Sequence, residues 1–298
     1  MTRHFQILIS ENMPSNLPAN TLIINELSKI QNLLGQEFET ILFDARKGIH
    51  LEALAIAAGT LKMNGALIVL QSNWEKLHFQ IDEDSLRWSG SLEAIVTPRF
   101  MEYFKHCIHK YGFSILYHQN DLKFDRTLQQ SFVNHNATLD QQKIIEQILQ
   151  KESELYFLTA KRGRGKSALA GLLTNQLDTK IYLTAPNKSA VKILAEFSQK
   201  EIIFIAPDEL FLALQNAPSF SENAWLFVDE AAMLPIAQLT AFSHHFKHIL
   251  FTTTIHSYEG TGRGFELKFK QKINRTFSDF ELIEPLRWSK DDVLEAFI

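Results

Sequence analysis

Short apolar runs alternate with segments of helical character along most of the chain. In the first half, residues 40–44 and 66–70 are apolar runs of strand length, and an Ala- and Leu-rich segment, residues 51–61, lies between them. A strand, a helix and a second strand in this order predict the βαβ unit of a parallel sheet. A short strand or turn at residues 92–96 and an amphipathic helix at residues 99–109 follow.

The second half alternates strands and helices more regularly, with short turns between them. This pattern predicts a doubly wound, largely parallel sheet with helices on both faces. The polar stretch 117–136 is the predicted linker between the halves. The predicted strands are 155–159, 180–184, 202–205, 225–228, 249–253 and 280–283, and the predicted helices are 167–177, 188–197, 209–214 and 236–242.

An apolar strand, a glycine-bearing loop and the start of a helix follow one another at residues 155–169. The loop matches the phosphate-loop pattern G-x-x-x-x-G-K-[ST] except at its first position, which is Ala160. Backbone N–H groups of such a loop, and the positive end of the helix after it, bind polyphosphates. Lys166 is therefore predicted to reach the β- and γ-phosphates, and Ser167 to bind Mg²⁺. The alternative explanation is a basic turn with incidental glycines.

Two acidic residues, Asp229 and Glu230, directly follow the apolar run 225–228. Alone, such a pair is common where a strand leads into a helix. Together with the phosphate loop it predicts an NTPase, in which Asp229 holds Mg²⁺ through water and Glu230 orients the attacking water. The predicted catalytic residues are Lys166, Asp229 and Glu230, and the predicted metal ligands are Ser167 and Asp229.

These features together predict an α/β protein of two domains. An N-terminal α/β domain at residues 1–130 is followed by a RecA-like P-loop domain with a largely parallel sheet at residues 131–298. Within the second domain, the strand 249–254 ends in hydroxyl side chains. Thr254 is the candidate for sensing the γ-phosphate, although β-branched residues also simply fill strands.

A basic strip follows in the predicted second domain. Residues 263–275 contain five basic residues against one acidic residue, a net charge of +4. Interleaved phenylalanines make this strip a candidate RNA contact, because phosphates bind cations and bases stack on aromatic rings. The alternative is a solvated face with core phenylalanines. The named RNA candidates are Arg263, Lys268 and Lys270.

Composition narrows the function classes further. The 298 residues are 45% hydrophobic and 21% charged, which excludes disorder or coiled coil as the main structure. A net charge of −4 means that nucleic-acid binding requires a local basic patch. No apolar run approaches the roughly 18 residues of a membrane span. One cysteine, Cys107, excludes an intrachain disulfide, and the N-terminus lacks an export signal. We therefore expect a cytoplasmic protein without a membrane partner.

Several motifs, taken together, resemble one known family. They are the arginine-rich phosphate loop, the Val-Asp-Glu-Ala-Ala segment 228–232, the Gly-Thr-Gly-Arg-Gly-Phe loop 260–265 and Pro-Leu-Arg-Trp at 285–288. With the N-terminal segments 43–48 and 65–70, they resemble the N-terminal domain and P-loop helicase module of the bacterial tRNA(Met) cytidine acetyltransferase family. Ala160 agrees with that family's own loop.

The resemblance implies ATP- or GTP-driven N4-acetylation of the wobble cytidine of elongator methionine tRNA, with acetyl-CoA as donor. In the family an acetyltransferase domain follows the helicase module, and we expect it to be absent here. Acetyl transfer would then need a separate domain or chain, and acetyl-CoA would serve only the full-length family. The family's nucleotide contacts map onto Gln141, Ala160, Lys161, Arg162, Gly163, Arg164, Gly165, Lys166, Ser167, Ala168, Leu169 and Arg287.

Two functions from different classes remain. The first is an RNA-stimulated ATPase, the motor module that remodels tRNA for the acetyltransferase. The second is a non-hydrolysing scaffold, or truncated paralogue, that binds nucleotide and tRNA. Glu230 favours the motor, because a scaffold needs no water-activating acid. A DNA helicase of a related P-loop class is a third possibility, and it would require a preference for DNA over structured RNA.

Overall fold

The computed structural model describes residues 3–25, 30, 33, 36–124, 136–151, 154–186, 188–254 and 268–298. Its contacts divide the chain into two units, the first comprising Met1–Ser131 and Arg287–Ile298 and the second comprising Phe132–Leu286. The sequence-based boundaries differ at the C-terminus, because they assign residues 287–298 to the second domain.

The elements below are numbered in chain order. The strands are β1 (His4–Ile9), β2 (Leu22–Ile24), β3 (Phe38–Asp44), β4 (Leu61–Gln71), β5 (Ile81–Asp82), β6 (Ile95–Val96), β7 (Ser114–Leu116), β8 (Leu155–Ala160), β9 (Lys180–Thr184), β10 (Ile203–Phe204), β11 (Ala224–Val228), β12 (His248–Thr254) and β13 (Phe277–Leu282). The helices are α1 (Leu51–Thr60), α2 (Pro98–Lys110), α3 (Leu139–Gln150), α4 (Lys166–Thr174), α5 (Ser189–Phe197), α6 (Pro207–Asn216), α7 (Ile236–His245) and α8 (Val293–Phe297).

A parallel sheet with the strand order β2-β3-β4-β1-β7 forms the centre of the first unit. One face packs against α1 and α2, because α1 is rich in small buried alanines and α2 turns Met101, Phe104 and Ile108 inward. The other face has a smaller core that includes Leu42, Ile68 and the buried Leu122. β5 and β6 pair separately as an antiparallel ribbon.

The C-terminal segment is part of the first unit. Helix α8 contributes Leu294 to its core, and the Phe297 ring lies 5.3 Å from that of Phe5. Asp292 forms an ion pair with Arg3 in which both side chains are almost fully buried, at an N–O distance of 2.5 Å. The guanidinium of Arg3 also donates to the Ala58 carbonyl at 2.6 Å. The segment is therefore held by a buried charge pair as well as by apolar contacts.

The second unit contains a parallel sheet with the order β10-β9-β11-β12-β8-β13. One core, on the face that carries α4, includes Leu158, Leu169 and Leu250. The opposite core, against α6 and α7, includes Phe157 and Phe242. In this order β12 lies between β8, which precedes the phosphate loop, and β11, which precedes the acid pair. The carboxyl ends of these three strands therefore meet at one edge of the sheet.

The predicted α/β class and largely parallel sheets are confirmed, and the sheet order of the second unit fits the expected RecA-like domain. The predicted strand at residues 280–283 begins three residues earlier, at Phe277. Residues 117–124 of the predicted linker belong to the first unit, where Gln6 and Lys123 exchange two hydrogen bonds of 2.8 and 2.9 Å. The rest of that linker up to residue 135 lies outside the described residues. The sequence pattern did not predict β1, β2, β5, β7, α3 or α8.

Among the described residues, no helix combines the length and the apolar composition needed to span a membrane.

We expect Asp292→Asn to destabilise the first unit by on the order of 3 kcal/mol, because it leaves the buried Arg3 guanidinium without its charged partner. Asparagine still caps the helix that follows, so the change isolates the ion pair. Urea denaturation measures the loss. Asp291→Asn, at the exposed neighbouring position, is the control and should unfold like the parent. Equal midpoints for the two variants would contradict a stabilising role of the pair.

Candidate functional site

The phosphate loop connects β8 to α4 with two glycines in left-handed conformation. Gly163 has φ 71° and Gly165, at the N-cap of α4, has φ 82°. A Cβ atom at Gly165 would lie 2.6 Å from Leu286 Cδ1 and 2.7 Å from Gln141 Nε2. Both the backbone angle and the close neighbours therefore require glycine at this position.

Two hydrogen bonds from outside the loop hold its backbone. The Leu286 amide donates to the Gly163 carbonyl at 2.8 Å. The Gln141 side chain donates from Nε2 to the Gly165 carbonyl at 3.1 Å. Since these bonds use carbonyl oxygens, they leave the loop's N–H groups available for an anion.

Gln141 has a second structural task, because it also completes the capping box of α3. Its Oε1 accepts from the Thr138 amide at 2.9 Å, while the Thr138 hydroxyl accepts from the Gln141 amide at 3.3 Å. The side chain is buried, with 2% exposure. Gln141 thus links the start of α3 to the loop, and this fixes the position of its amide beside Gly165.

Arg164 contacts protein carbonyl groups. Its Nε donates to the Ile283 carbonyl at 3.1 Å and one terminal nitrogen donates to the Arg162 carbonyl at 2.9 Å. The residue is buried at 6% exposure. Arg164 therefore links the loop to the residue that follows β13 through hydrogen bonds. The sequence pattern did not indicate this structural role.

The first turn of α4 meets the acid pair through Ser167 and Asp229. The Ser167 hydroxyl lies 3.3 Å from Asp229 Oδ2, and the Thr252 hydroxyl and the Glu230 amide both donate to Asp229 Oδ1. Asp229 is 4% exposed. Hydroxyl and carboxylate oxygens are ligands that Mg²⁺ prefers, with water and substrate phosphates completing its shell. The donor set therefore fits a magnesium ion at Ser167 and Asp229.

Lys166 and Glu230 form an ion pair that includes Thr254. Lys166 Nζ lies 3.2 Å from Glu230 Oε1 and donates to the Thr254 hydroxyl at 2.9 Å. The Thr254 hydroxyl lies 2.7 Å from Glu230 Oε1, and the Thr254 amide donates to Oε2 at 3.2 Å. The ammonium group predicted to bind phosphates thus lies against the carboxylate predicted to activate water.

The two carboxyl groups have shifted pKa values of opposite direction. Burial, followed by repulsion from the charge of Glu230, raises the pKa of Asp229 above its ordinary value. Burial also acts to raise the pKa of Glu230, but the charge of Lys166 and the hydrogen bonds from Thr254 and Lys166 outweigh it and lower that pKa. Glu230 is therefore an anion while paired with Lys166.

Glu230 also has an unusual backbone, with φ 49° and ψ 48° in the left-handed region. For a residue with a Cβ this conformation costs about 1–2 kcal/mol. It occurs directly after β11, where the chain turns into the 3₁₀ segment Ala231–Met233. Such strain is typical of functional turns, and here it accompanies the carboxylate that pairs with Lys166.

The other predicted site residues have varied surroundings. Lys161 is exposed and Arg162 half-buried, whereas Ala160, Ala168 and Leu169 are buried and can offer a ligand only their backbone groups. Arg287 belongs to the first unit, where it pairs with Glu37 at 2.9 Å and donates to the Gly59 carbonyl at 3.1 Å.

The basic strip is only partly available to a partner. Lys268 is exposed, but Lys270 pairs with Asp279 at 2.5 Å and lies over the Phe157 ring. Arg275 pairs with Glu154 at 2.8 Å and donates to the carbonyls of the turn after α7. Phe269 is fully buried. Arg263 lies outside the described residues. Much of the described part of this basic strip therefore fits the alternative, a surface face whose phenylalanine packs in the core.

Two family models match most of the chain. The model described as tRNA(Met) cytidine acetyltransferase TmcA, N-terminal, matches residues 6–119, and the model described as RNA cytidine acetyltransferase NAT10/TcmA, helicase domain, matches residues 157–298. The chain belongs to the tRNA(Met) cytidine acetyltransferase family. Its matched regions are the N-terminal and helicase regions of that family.

Similar proteins give the extent of the likeness. The tRNA(Met) cytidine acetyltransferase TmcA of Haemophilus influenzae is 60% identical in an alignment of 301 positions, which covers 100% of this chain and 46% of the relative. That of Actinobacillus pleuropneumoniae is 38% identical over 91% of this chain and 46% of the relative. The chain thus spans about half the length of the curated relatives it matches. The UvsW helicase structure from bacteriophage T4 aligns with a TM-score of 0.37 at 9% identity, over 67% of this chain and 86% of that one.

We expect Gly165→Ala to destabilise the second unit by more than the cost of left-handed backbone alone, about 1–2 kcal/mol. The excess arises because the new methyl group would displace Leu286 and Gln141 from the loop. Chemical denaturation measures the loss. Gly90→Ala is the matched control, since Gly90 has φ 71° and, apart from its chain neighbours, no heavy atom of the described residues lies within 4 Å of the added Cβ. An equal loss in the free energy of unfolding for both substitutions would mean that Leu286 and Gln141 do not pack closely against Gly165.

Proposed function

We propose that the second unit binds and hydrolyses a nucleoside triphosphate, ATP or GTP, with Mg²⁺. In this proposal it is the motor module of a tRNA(Met) cytidine acetyltransferase. One observation carries the proposal. Lys166 and Ser167 at the start of α4 converge with Asp229 and Glu230 after β11, at the edge where the strands β8, β12 and β11 end. The family membership supports the same conclusion, since the helicase model covers this region.

Nucleotide binding begins at the loop. The N–H groups of residues 161–166 and the N-terminus of α4 bind the phosphates, and Lys166 adds a positive charge. Lys166 must then exchange Glu230 for a phosphate oxygen, which frees the carboxylate at the moment when substrate arrives. The same event releases the Thr254 hydroxyl from Lys166. Thr254 is thereby coupled to nucleotide occupancy, as the sensor hypothesis requires.

Ser167 and Asp229 would hold the magnesium ion, whose charge neutralises the phosphates and stabilises negative charge on the transferred group. Asp229 would do this as an anion. Burial and the charge of Glu230 raise the pKa of Asp229, and the charge of Lys166 and the hydrogen bonds to Oδ1 act against that rise. Asp229 Oδ2, which lies 3.3 Å from the Ser167 hydroxyl, would be the oxygen that holds the metal.

Glu230 would orient the attacking water and accept its proton. A carboxylate in this role contributes roughly 10²–10⁴-fold to the rate. The Thr254 amide and hydroxyl hold both carboxylate oxygens, and the left-handed turn at Glu230 sets its direction. The group is thus preorganised before substrate binds.

The substrate and partner follow from the family. We infer that the partner is tRNA, with elongator methionine tRNA as the form that the resemblance implies. The exposed Lys268 remains an RNA candidate, and Lys270 would have to leave Asp279 to contact RNA. Acetyl transfer from acetyl-CoA is an activity proposed for the full-length family, carried by a further domain or a separate chain.

We expect Lys166→Ala to weaken Mg²⁺–ATP binding by at least about tenfold, because one charge-assisted contact to phosphate is worth roughly 1.5–3 kcal/mol. Calorimetric titration of the full chain with a non-hydrolysable ATP analogue measures it. Lys180→Ala, at an exposed lysine of β9, is the control and should bind like the parent. Unchanged affinity in the Lys166 variant would argue against its role.

We expect Glu230→Gln to lower phosphate release by at least about 100-fold while nucleotide binding is kept or strengthened. Binding improves because the neutral amide no longer competes for Lys166. Phosphate release is measured with and without tRNA, with Glu222→Gln at an exposed position as the control. A parent chain that binds ATP but releases no phosphate in either condition would favour the scaffold instead.

A further inference from the structure

Thr252 is buried beside the acid pair. It belongs to β12, which pairs with β11 on one side and β8 on the other. Strand alternation places Thr252 on the same sheet face as Leu250, which belongs to the core on the α4 face. The residue is 1% exposed, and its hydroxyl donates to Asp229 Oδ1. The hydrogen bond is therefore buried from solvent. Its acceptor is a charged carboxylate, and hydrogen bonds to charged acceptors are stronger than those between neutral groups.

The hydrogen bonds to Asp229 divide between its two oxygens. Oδ1 accepts from the Thr252 hydroxyl and from the Glu230 amide, whereas Oδ2 faces the Ser167 hydroxyl at 3.3 Å. A carboxylate held through one oxygen cannot rotate freely about its Cβ–Cγ bond. The other oxygen is consequently kept on the side of the phosphate loop.

We propose that Thr252 is a positioning residue for the magnesium site, because its hydroxyl fixes Asp229 so that Oδ2 faces Ser167. This inference rests on the proposed nucleotide function. It makes Thr252 necessary for tight metal binding although Thr252 itself does not touch the metal. A hydroxyl at this point supplies the donor that a buried carboxylate needs, without adding a charge that would compete with Mg²⁺.

The adjacent residue provides a matched control. Thr253 is also buried, at 2% exposure, and lies on the opposite sheet face. Within the described part of the chain its hydroxyl has no hydrogen-bond partner. Replacing either threonine by valine removes one buried hydroxyl of β12 at nearly constant volume, so the two variants differ in the Asp229 contact.

The experiment compares the parent chain with Thr252→Val, Thr252→Ser and Thr253→Val. The affinity for a non-hydrolysable ATP analogue is measured by calorimetry across a range of Mg²⁺ concentrations and again in EDTA. We expect Thr252→Val to raise the half-saturating Mg²⁺ concentration about tenfold, since a hydrogen bond to a charged group is lost. Its affinity in EDTA should equal that of the parent. Thr252→Ser and Thr253→Val should follow the parent under both conditions.

Two results would overturn the inference. The first is a parental Mg²⁺ requirement in Thr252→Val. The second is an equal loss of affinity with and without Mg²⁺, which would mean that Thr252 supports the loop as a whole. If Thr252→Val fails to fold, Thr252→Ala gives the same comparison. A parent chain that binds no nucleotide would instead refute the proposed function, so the two failures are distinguishable.

Discussion

The contact between the first turn of α4 and the acids after β11 is the constraint on which the site depends. It joins Lys166 to Glu230 and Ser167 to Asp229 across the intervening strand β12. Without their partners, Lys166 and Asp229 would be buried charges, which are unfavourable. The sheet order brings them together, and Thr252 and Thr254 of the middle strand supply the hydroxyls that complete the arrangement.

The fold of the second unit was largely predictable, because the order of its strand and helix patterns along the chain matches the parallel sheet that it forms. Strand β11 is a continuous apolar run, and β8 and β12 contain apolar runs at residues 155–158 and 249–251, as expected of strands buried on both faces of a parallel sheet. The glycine positions in the loop mark left-handed backbone, and the acid pair stands directly after its strand. Lys166, Ser167, Asp229 and Glu230 were therefore identifiable by position, and the structure brings all four together.

Other features depend on partners distant in sequence. Strand β1 is short and adjoins a polar stretch, yet it pairs with β4 and β7 inside the first sheet. Lys270 and Arg275 lie in a basic segment that is typical of RNA binding, but the structure pairs them with the carboxylates of Asp279 and Glu154. In the sequence, Thr252 is one of several β-branched residues of a strand, and only the structure shows its hydrogen bond to Asp229. The roles of these residues depend on tertiary contacts, which spacing along the chain does not reveal.

The convergence of the phosphate loop and the acid pair on a nucleotide can be tested by a crystal structure of the chain grown with Mg²⁺ and a non-hydrolysable ATP analogue. We expect phosphates against residues 160–167, a metal ion beside Ser167 and Asp229, and Lys166 transferred from Glu230 to a phosphate oxygen. A loop without nucleotide at saturating concentration, with Lys166 still paired to Glu230, would contradict it.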